Sequence, residues 1–223
     1  MTLQITTITL PLPLKISMVN SYLIKNEDGF YLIDTGMTNA RHQIEAKLDE
    51  LDCRPGDLKL ILLTHGDFDH TGNAVYLRQK FGSQIAMHME DVGMLENGDM
   101  FWHRKIDNRV IRGLMKTFMP LKAENQGTPD VYLEDGVGLS DLGLEATVYN
   151  TPGHSSGSVC ILTVSGELFC GDLLTSSKGK PMLNSMMYDK EAGAASLEKL
   201  KSFPIKTVYP GHGKPFPWEA LSR

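Results

Sequence analysis

The sequence has no apolar run approaching the ~18 residues of a membrane-spanning helix. It also lacks any block of about five or six basic side chains, the usual mark of a nucleic-acid-binding tail. A membrane protein is therefore not expected, and a formal net charge of -5 supplies no field that would attract nucleic acid. Cysteine is scarce. Cys53, Cys160 and Cys170 are an odd number without metal-type spacing, and the last two lie in apolar, strand-like runs, so they read as reduced buried thiols. Residues 1–18 lack an early basic region and a small-residue cleavage site, and alternate Thr with apolar residues, which reads as a strand rather than a signal peptide. A cytoplasmic protein with a small-molecule substrate is expected. The sequence leaves the oligomeric state open, a homodimer included.

What is present is ordinary globular material: 41% hydrophobic and 22% charged residues over a 223-residue chain. That length suits one domain spanning residues 1–223. Apolar and β-branched runs at Ile5 to Leu10, Met18 to Ile24 and Phe30 to Ile33 open the chain as antiparallel sheet, with a turn at Asn26-Glu27-Asp28-Gly29. Ala40, Ile44, Leu48 and Leu51 then recur at helical spacing, with Thr38 or Asn39 as the expected cap and Pro55-Gly56 as the stop. Leu58 to Leu63 fits a strand buried on both faces, followed by a helix carrying Ala74, Leu77 and Phe81 inward. Gln84 to Met87 reads as a further strand, and residues 88 to about 130 read as a helical insert. Strand patterns return from Val131, with a hairpin at Ser165-Gly166. A helix at about Glu191 to Phe203 carries Ala195, Leu197 and Leu200 inward, and a last strand runs from Lys206 to Tyr209. Two similar strand-then-helix halves suit two sheets packed face to face with helices outside.

The chemistry collects at strand ends. His65-Gly66-Asp67-Phe68-Asp69-His70 puts four metal-ligand side chains within six residues, directly after a buried strand. Thr151-Pro152-Gly153-His154, Cys170-Gly171-Asp172 and Tyr209-Pro210-Gly211-His212 each present one more at the end of an apolar run. A single Pro-Gly-His is usually just a turn. Here four of the chain's seven histidines share this placement, which a chance distribution does not readily give.

These motifs, with Ile33-Asp34-Thr35-Gly36 upstream, resemble the metallo-β-lactamase superfamily over nearly the whole chain. The resemblance implies an α/β fold, an αββα four-layer sandwich of two mixed sheets flanked by helices. It also implies a site for two divalent metal ions, zinc first, with iron or manganese as alternatives. His65, residue 67 and His154 would hold one metal; Asp69, His70 and His212 would hold the other; Asp172 would bridge them. Such a pair lowers the pKa of a shared water towards ~7, supplying hydroxide to attack an ester, thioester or lactone carbonyl, with Asp69 orienting it and passing a proton. The intervals after His154 and after Asp172 are similar to the thioesterase and lactonase branches, glyoxalase II among them. An iron-dependent oxidoreductase of the persulfide dioxygenase or diiron kind is the alternative.

Asp67 departs from the family, where histidine is usual. A carboxylate there adds negative charge and a harder ligand, favouring iron or manganese; if too short to reach, it would instead accept a hydrogen bond from a neighbouring ligand. Asp34 reads as a loop anchor, and His42, His88 and His103 as ordinary histidines. Met87, Met89, Met94, Met100, Met115 and Met119, with Phe101, Trp102 and Phe118, either wall an apolar substrate pocket or pack the insert. Lys178 and Lys180 either meet a substrate carboxylate or face water.

Overall fold

The computed structural model describes residues 3–13, 17–102, 104, 121–177 and 179–222. Strands β1 (Gln4–Pro11), β2 (Met18–Lys25), β3 (Phe30–Ile33), β4 (Leu58–Leu62), β5 (Gln84–His88) and β6 (Val131–Leu133) form one sheet in chain order. Its first three strands are antiparallel and the rest parallel. The second sheet runs β12 (Phe216–Pro217), β11 (Thr207–His212), β9 (Glu167–Thr175), β8 (Val159–Thr163), β7 (Ala146–Asn150), with β10 (Met182–Leu183) paired to β9. Here β9 and β11 are the parallel pair. Both sheets are mixed.

Side-chain alternation sorts the apolar residues into three cores, and three cores make four layers. In β2 and β3, Val19, Leu23, Phe30 and Leu32 face helices α1 (Arg41–Glu50), α3 (Ala74–Phe81) and the segment around α4 (Val92–Asn97). Tyr22, Ile24, Tyr31 and Ile33 face the opposite way, onto Val148, Ile161 and Phe169 of the second sheet. The third core lies between that sheet's far face, with Cys160, Leu162, Leu168 and Val208, and Leu200 of α5 (Lys190–Leu200). The αββα sandwich is thus what two amphipathic sheets and the apolar stripes of their helices produce. All three cysteines are buried and unpaired.

Several local expectations need correction. Neither Thr38 nor Asn39 caps α1; a 3-10 turn over Thr38–Ala40 leads into it without a side-chain cap, and the helix stops at Glu50, followed by Asp52 in the left-handed region at φ 58°. In α5 Leu200 is buried and Leu197 packs against the third core as expected, but Ala195 is exposed, and Gly193 and Ser196 are the other buried positions. The reason is close approach: a side chain at Gly153 would collide with Gly193, and Ser196 Oγ donates to the Pro152 carbonyl at 2.7 Å. Asp189 caps this helix by accepting from Ala192 N. In the insert, the 3-10 turn Met89–Asp91, α4 and the 3-10 turn Ala123–Asn125 are described, whereas His103, Met115, Phe118 and Met119 lie outside the described residues.

Phe169 lies at the centre of the inter-sheet core, between the rings of Tyr22 and Tyr209 at centroid distances of 5.4 and 4.9 Å. Phe169→Ala should cost about 3–5 kcal/mol. Denaturant unfolding checks this, with a lower midpoint and an unchanged slope as the expected outcome.

Candidate metal centre

Strands β3, β4 and β5 run parallel, so their carboxyl ends open on one edge of the sandwich, where open α/β sheets place their sites. His65 follows β4, and Asp67 starts the short helix α2 (Phe68–Thr71). The Asp67 carbonyl accepts from His70 N and Thr71 N, while its carboxylate is not spent on capping and turns into the site. Asp172 arrives through a break in β9. Strict alternation from Leu168 and Cys170 would bury it in the outer core, but Gly171 takes φ 48° and the β9–β11 register shifts nearby, so Asp172 faces the histidines instead. Gly211 is needed for closeness, since a side chain there would run into Asp172 Oδ1 and His70 Cε1.

Two groups of donors result. His65, His154 and Asp172 form one, and Asp69, His70 and His212 the other, with the donor atoms of each within 4.8 Å of one another. Asp172 sits between them: Oδ1 is 3.4 Å from His70 Nε2, and Oδ2 is 3.4 Å from His212 Nε2 and 3.9 Å from His154 Nε2. Asp69 Oδ2 lies 3.3 Å from His212 Nε2 and 3.8 Å from His70 Nε2. Ligands bound tetrahedrally at about 2.0–2.1 Å stand about 3.3 Å apart, so these separations suit a shared ion. His65, His70, His154, Asp67 and Asp172 are buried, whereas Asp69 and His212 are partly exposed and border the opening.

Each imidazole is fixed from outside. His70 Nδ1 donates to Asp34 Oδ2 at 2.7 Å, His154 Nδ1 to the Met186 carbonyl at 2.7 Å, and His212 Nδ1 to the Met18 carbonyl at 2.6 Å. His65 Nδ1 lies 3.0 Å from Thr64 Oγ1, whose own proton goes to Asp34 Oδ2, so the hydroxyl accepts from the ring. All four rings therefore turn Nε2 inward. His65 Nε2, His70 Nε2 and Asp172 Oδ1 are buried without a hydrogen bond among the described residues, and a metal ion would satisfy all three. Asp34, at φ 57°, is an anchor, and its Oδ1 also accepts from Thr64 N.

Electrostatics follow from the crowding. Burial alone would lower His70, but Asp34, Asp69 and Asp172 outweigh it and raise the ring to about 9. His212 is likewise pushed up to about 11, with Asp172 and Asp69 overcoming burial. His65, buried beside His70 and His154, is held well below the ordinary value. Burial would raise Asp172, but the surrounding histidines hold it well below the usual carboxylate range.

Two residues escaped the sequence reading. Asp91, completely buried, accepts from Gly66 N (2.9 Å), Ser155 Oγ (2.6 Å) and Gly157 N (2.9 Å), tying the His65 loop to the His154 loop. Arg104 places Nη1 2.7 Å from Asp67 Oδ1. The extra negative charge expected from Asp67 is therefore met by a cation. No local pattern signals either residue, because their partners lie 25 to 66 positions away for Asp91. Of the other candidates, His42 and Lys180 are exposed, His88 contacts Asn150, and Lys178 lies outside the described residues. Met87, Met94 and Phe101 are core, Met100 packs against it, Met89 is exposed and Trp102 covers Gly93.

Asp91→Ala should cost about 3 kcal/mol by leaving buried donors unpaired, and should speed hydrogen exchange at the Gly66 and Gly157 amides. A pH dependence follows for protein stripped of metal. His70 and His212 are raised from 6.5, so their contribution is fully present below 6.5 and is lost as pH rises through about 9 and about 11. Urea unfolding of chelator-treated protein should show lower stability at alkaline than at neutral pH.

The sequence profile of the metallo-beta-lactamase superfamily matches residues 14–212. A probable metallo-hydrolase of Bacillus subtilis (strain 168), YybB, is 31% identical over 172 residues, covering 76% of this chain and 67% of that one. The acyl-coenzyme A thioesterase MBLAC2 of Bos taurus is 27% identical, covering 92% of this chain and 76% of its own. The solved structure of TTHA1623 in a di-iron-bound form superposes with a TM-score of 0.72 at 27% identity, over 96% of each chain. A profile that spans most of the sequence, matched by a fold shared along its length, shows that the chain belongs to the metallo-β-lactamase superfamily.

Proposed function

We propose that this chain is a two-metal hydrolase acting on an ester, thioester or lactone bond of a small molecule. The observation that carries the reading is the orientation of four imidazoles, each with Nδ1 occupied outside and Nε2 turned to a common centre. His65, His154 and Asp172 would hold one ion, with Asp67 contributing, and Asp69, His70 and His212 the other, Asp172 being shared. Bound there, two divalent ions, zinc or iron, would activate water and polarise a carbonyl.

The chain's own residues do the rest. Thr64 and Asp34 hold His65 and His70 in the tautomer that presents Nε2. Asp69 is the most exposed carboxylate of the group, so it is the one placed to orient an incoming water and return a proton to the departing oxygen or sulfur. An acyl-coenzyme A thioesterase among the similar proteins supports the choice of acyl transfer to water.

Protein purified without added metal should carry about two equivalents of transition metal and hydrolyse a panel of small esters, thioesters and lactones. His70→Ala should lower metal content and activity together, and full activity in a metal-free preparation would contradict the reading. Asp34→Asn, which keeps the shape but removes the charged acceptor behind His70, should weaken metal binding about 10–100-fold.

A further inference from the structure

Asp67 stands where a neutral imidazole is usual in this superfamily, and its surroundings differ accordingly. Its carboxylate is nearly enclosed and points two ways: Oδ2 lies 3.0 Å from His154 Nε2 and 3.8 Å from His65 Nε2, while Oδ1 lies 2.7 Å from Arg104 Nη1. The Arg104 side chain is only 10% exposed, and its Nη2 donates to the His154 carbonyl at 3.4 Å. A guanidinium so deep in the protein calls for an anion, and among the described residues Asp67 is the carboxylate within ion-pair distance of it. Together they carry no net charge, as one imidazole carries none.

We propose that Asp67 and Arg104 act as one neutral unit in place of the usual histidine, Asp67 Oδ2 serving the metal held by His65 and His154 while Arg104 offsets its charge. The inference rests on the two-metal reading above. It reverses the expectation drawn from Asp67 alone. The site does not gain a negative charge, so it need not favour a harder ion, and Arg104 is a positioning residue with a charge that matters. Histidine at position 67 would be out of place here unless Arg104 also changed, because the guanidinium would then face a cation across a neutral ring.

Zinc binding measured by competition with a chromophoric chelator, with cadmium NMR reporting which site responds, tests this in the full-length chain. Asp67→His alone should weaken zinc at one site about 10–100-fold, through the unpaired charge of Arg104 at close range in a low effective dielectric. Adding Arg104→Gln should restore it, so the two changes have opposite signs in combination. Arg104→Gln alone should leave zinc bound as tightly or more tightly at that site, since Asp67 then offers its full charge to the ion. A purely structural Arg104 gives a different pattern: Arg104→Gln weakens zinc, and Asp67→His binds zinc as well as wild type, an outcome that overturns the unit. Wild-type protein that takes up no zinc would overturn the two-metal reading itself, and the unit with it.

Discussion

Seven ionisable side chains share one small, largely buried space, and a cluster of that kind stands only if each polar atom turned away from its centre is satisfied from outside. The four Nδ1 atoms meet Asp34, Thr64 and two backbone carbonyls, and those partners decide which nitrogen of each ring is left for an ion. Asp34 serves His70 directly and His65 through Thr64, and is itself held at the carboxyl end of β3 by Thr64 N. Remove that support and the rings are free to turn, tautomers exchange, and the converging Nε2 atoms are lost.

The rest of the fold serves this arrangement. The inter-sheet core brings the ends of two sheets to one edge, so that the candidate ligands from residues 65 to 70 meet those from 154, 172 and 212. Loops arriving from different sheets must then be tied across the gap. Asp91 ties the His65 loop to the His154 loop, while Asn20 Nδ2 and Tyr22 Oη from the first sheet both donate to the Pro210 carbonyl beside His212. On the other side of His65, Thr35 binds the His70 carbonyl through both its amide and its hydroxyl. The glycines of the site follow from the same closeness, as Gly171 turns a strand inward and Gly211 lets two strands' ends meet.

Much of this was legible because it is local. A strand, a tight turn and a potential metal-binding side chain are neighbours in sequence, and repetition of that unit separates it from an ordinary Pro-Gly turn. The layering was legible too, from two similar strand-then-helix halves and the resemblance to the superfamily, whereas the face that each of Tyr22, Leu23 and Ile24 takes is seen only in the structure, since all three are apolar. What stayed hidden depends on distant partners. Asp91 is an unremarked acid in a helical stretch until Gly157 and Ser155 are folded onto it, and Arg104 is one arginine among several until Asp67 lies beside it. Within α5, the placement of Ala195 was misjudged for a related reason. Apolarity favoured Ala195, but contact with the His154 loop selects small residues that allow backbones to approach, Gly193 and Ser196.

Asp67 read alone adds a negative charge to the site; Arg104, with Nη1 2.7 Å from its Oδ1, is the counter-charge that only the folded chain brings beside it. The central claim is that the inward-turned Nε2 atoms and their carboxylates hold two metal ions. Anomalous diffraction at the metal absorption edges, from crystals of protein purified without added metal, tests that claim most directly. The account predicts two peaks, one among His65, His154 and Asp172 and the other among Asp69, His70 and His212, with Asp172 reaching both. A single peak, or none, with the imidazoles hydrogen-bonded to one another or to water, would contradict it.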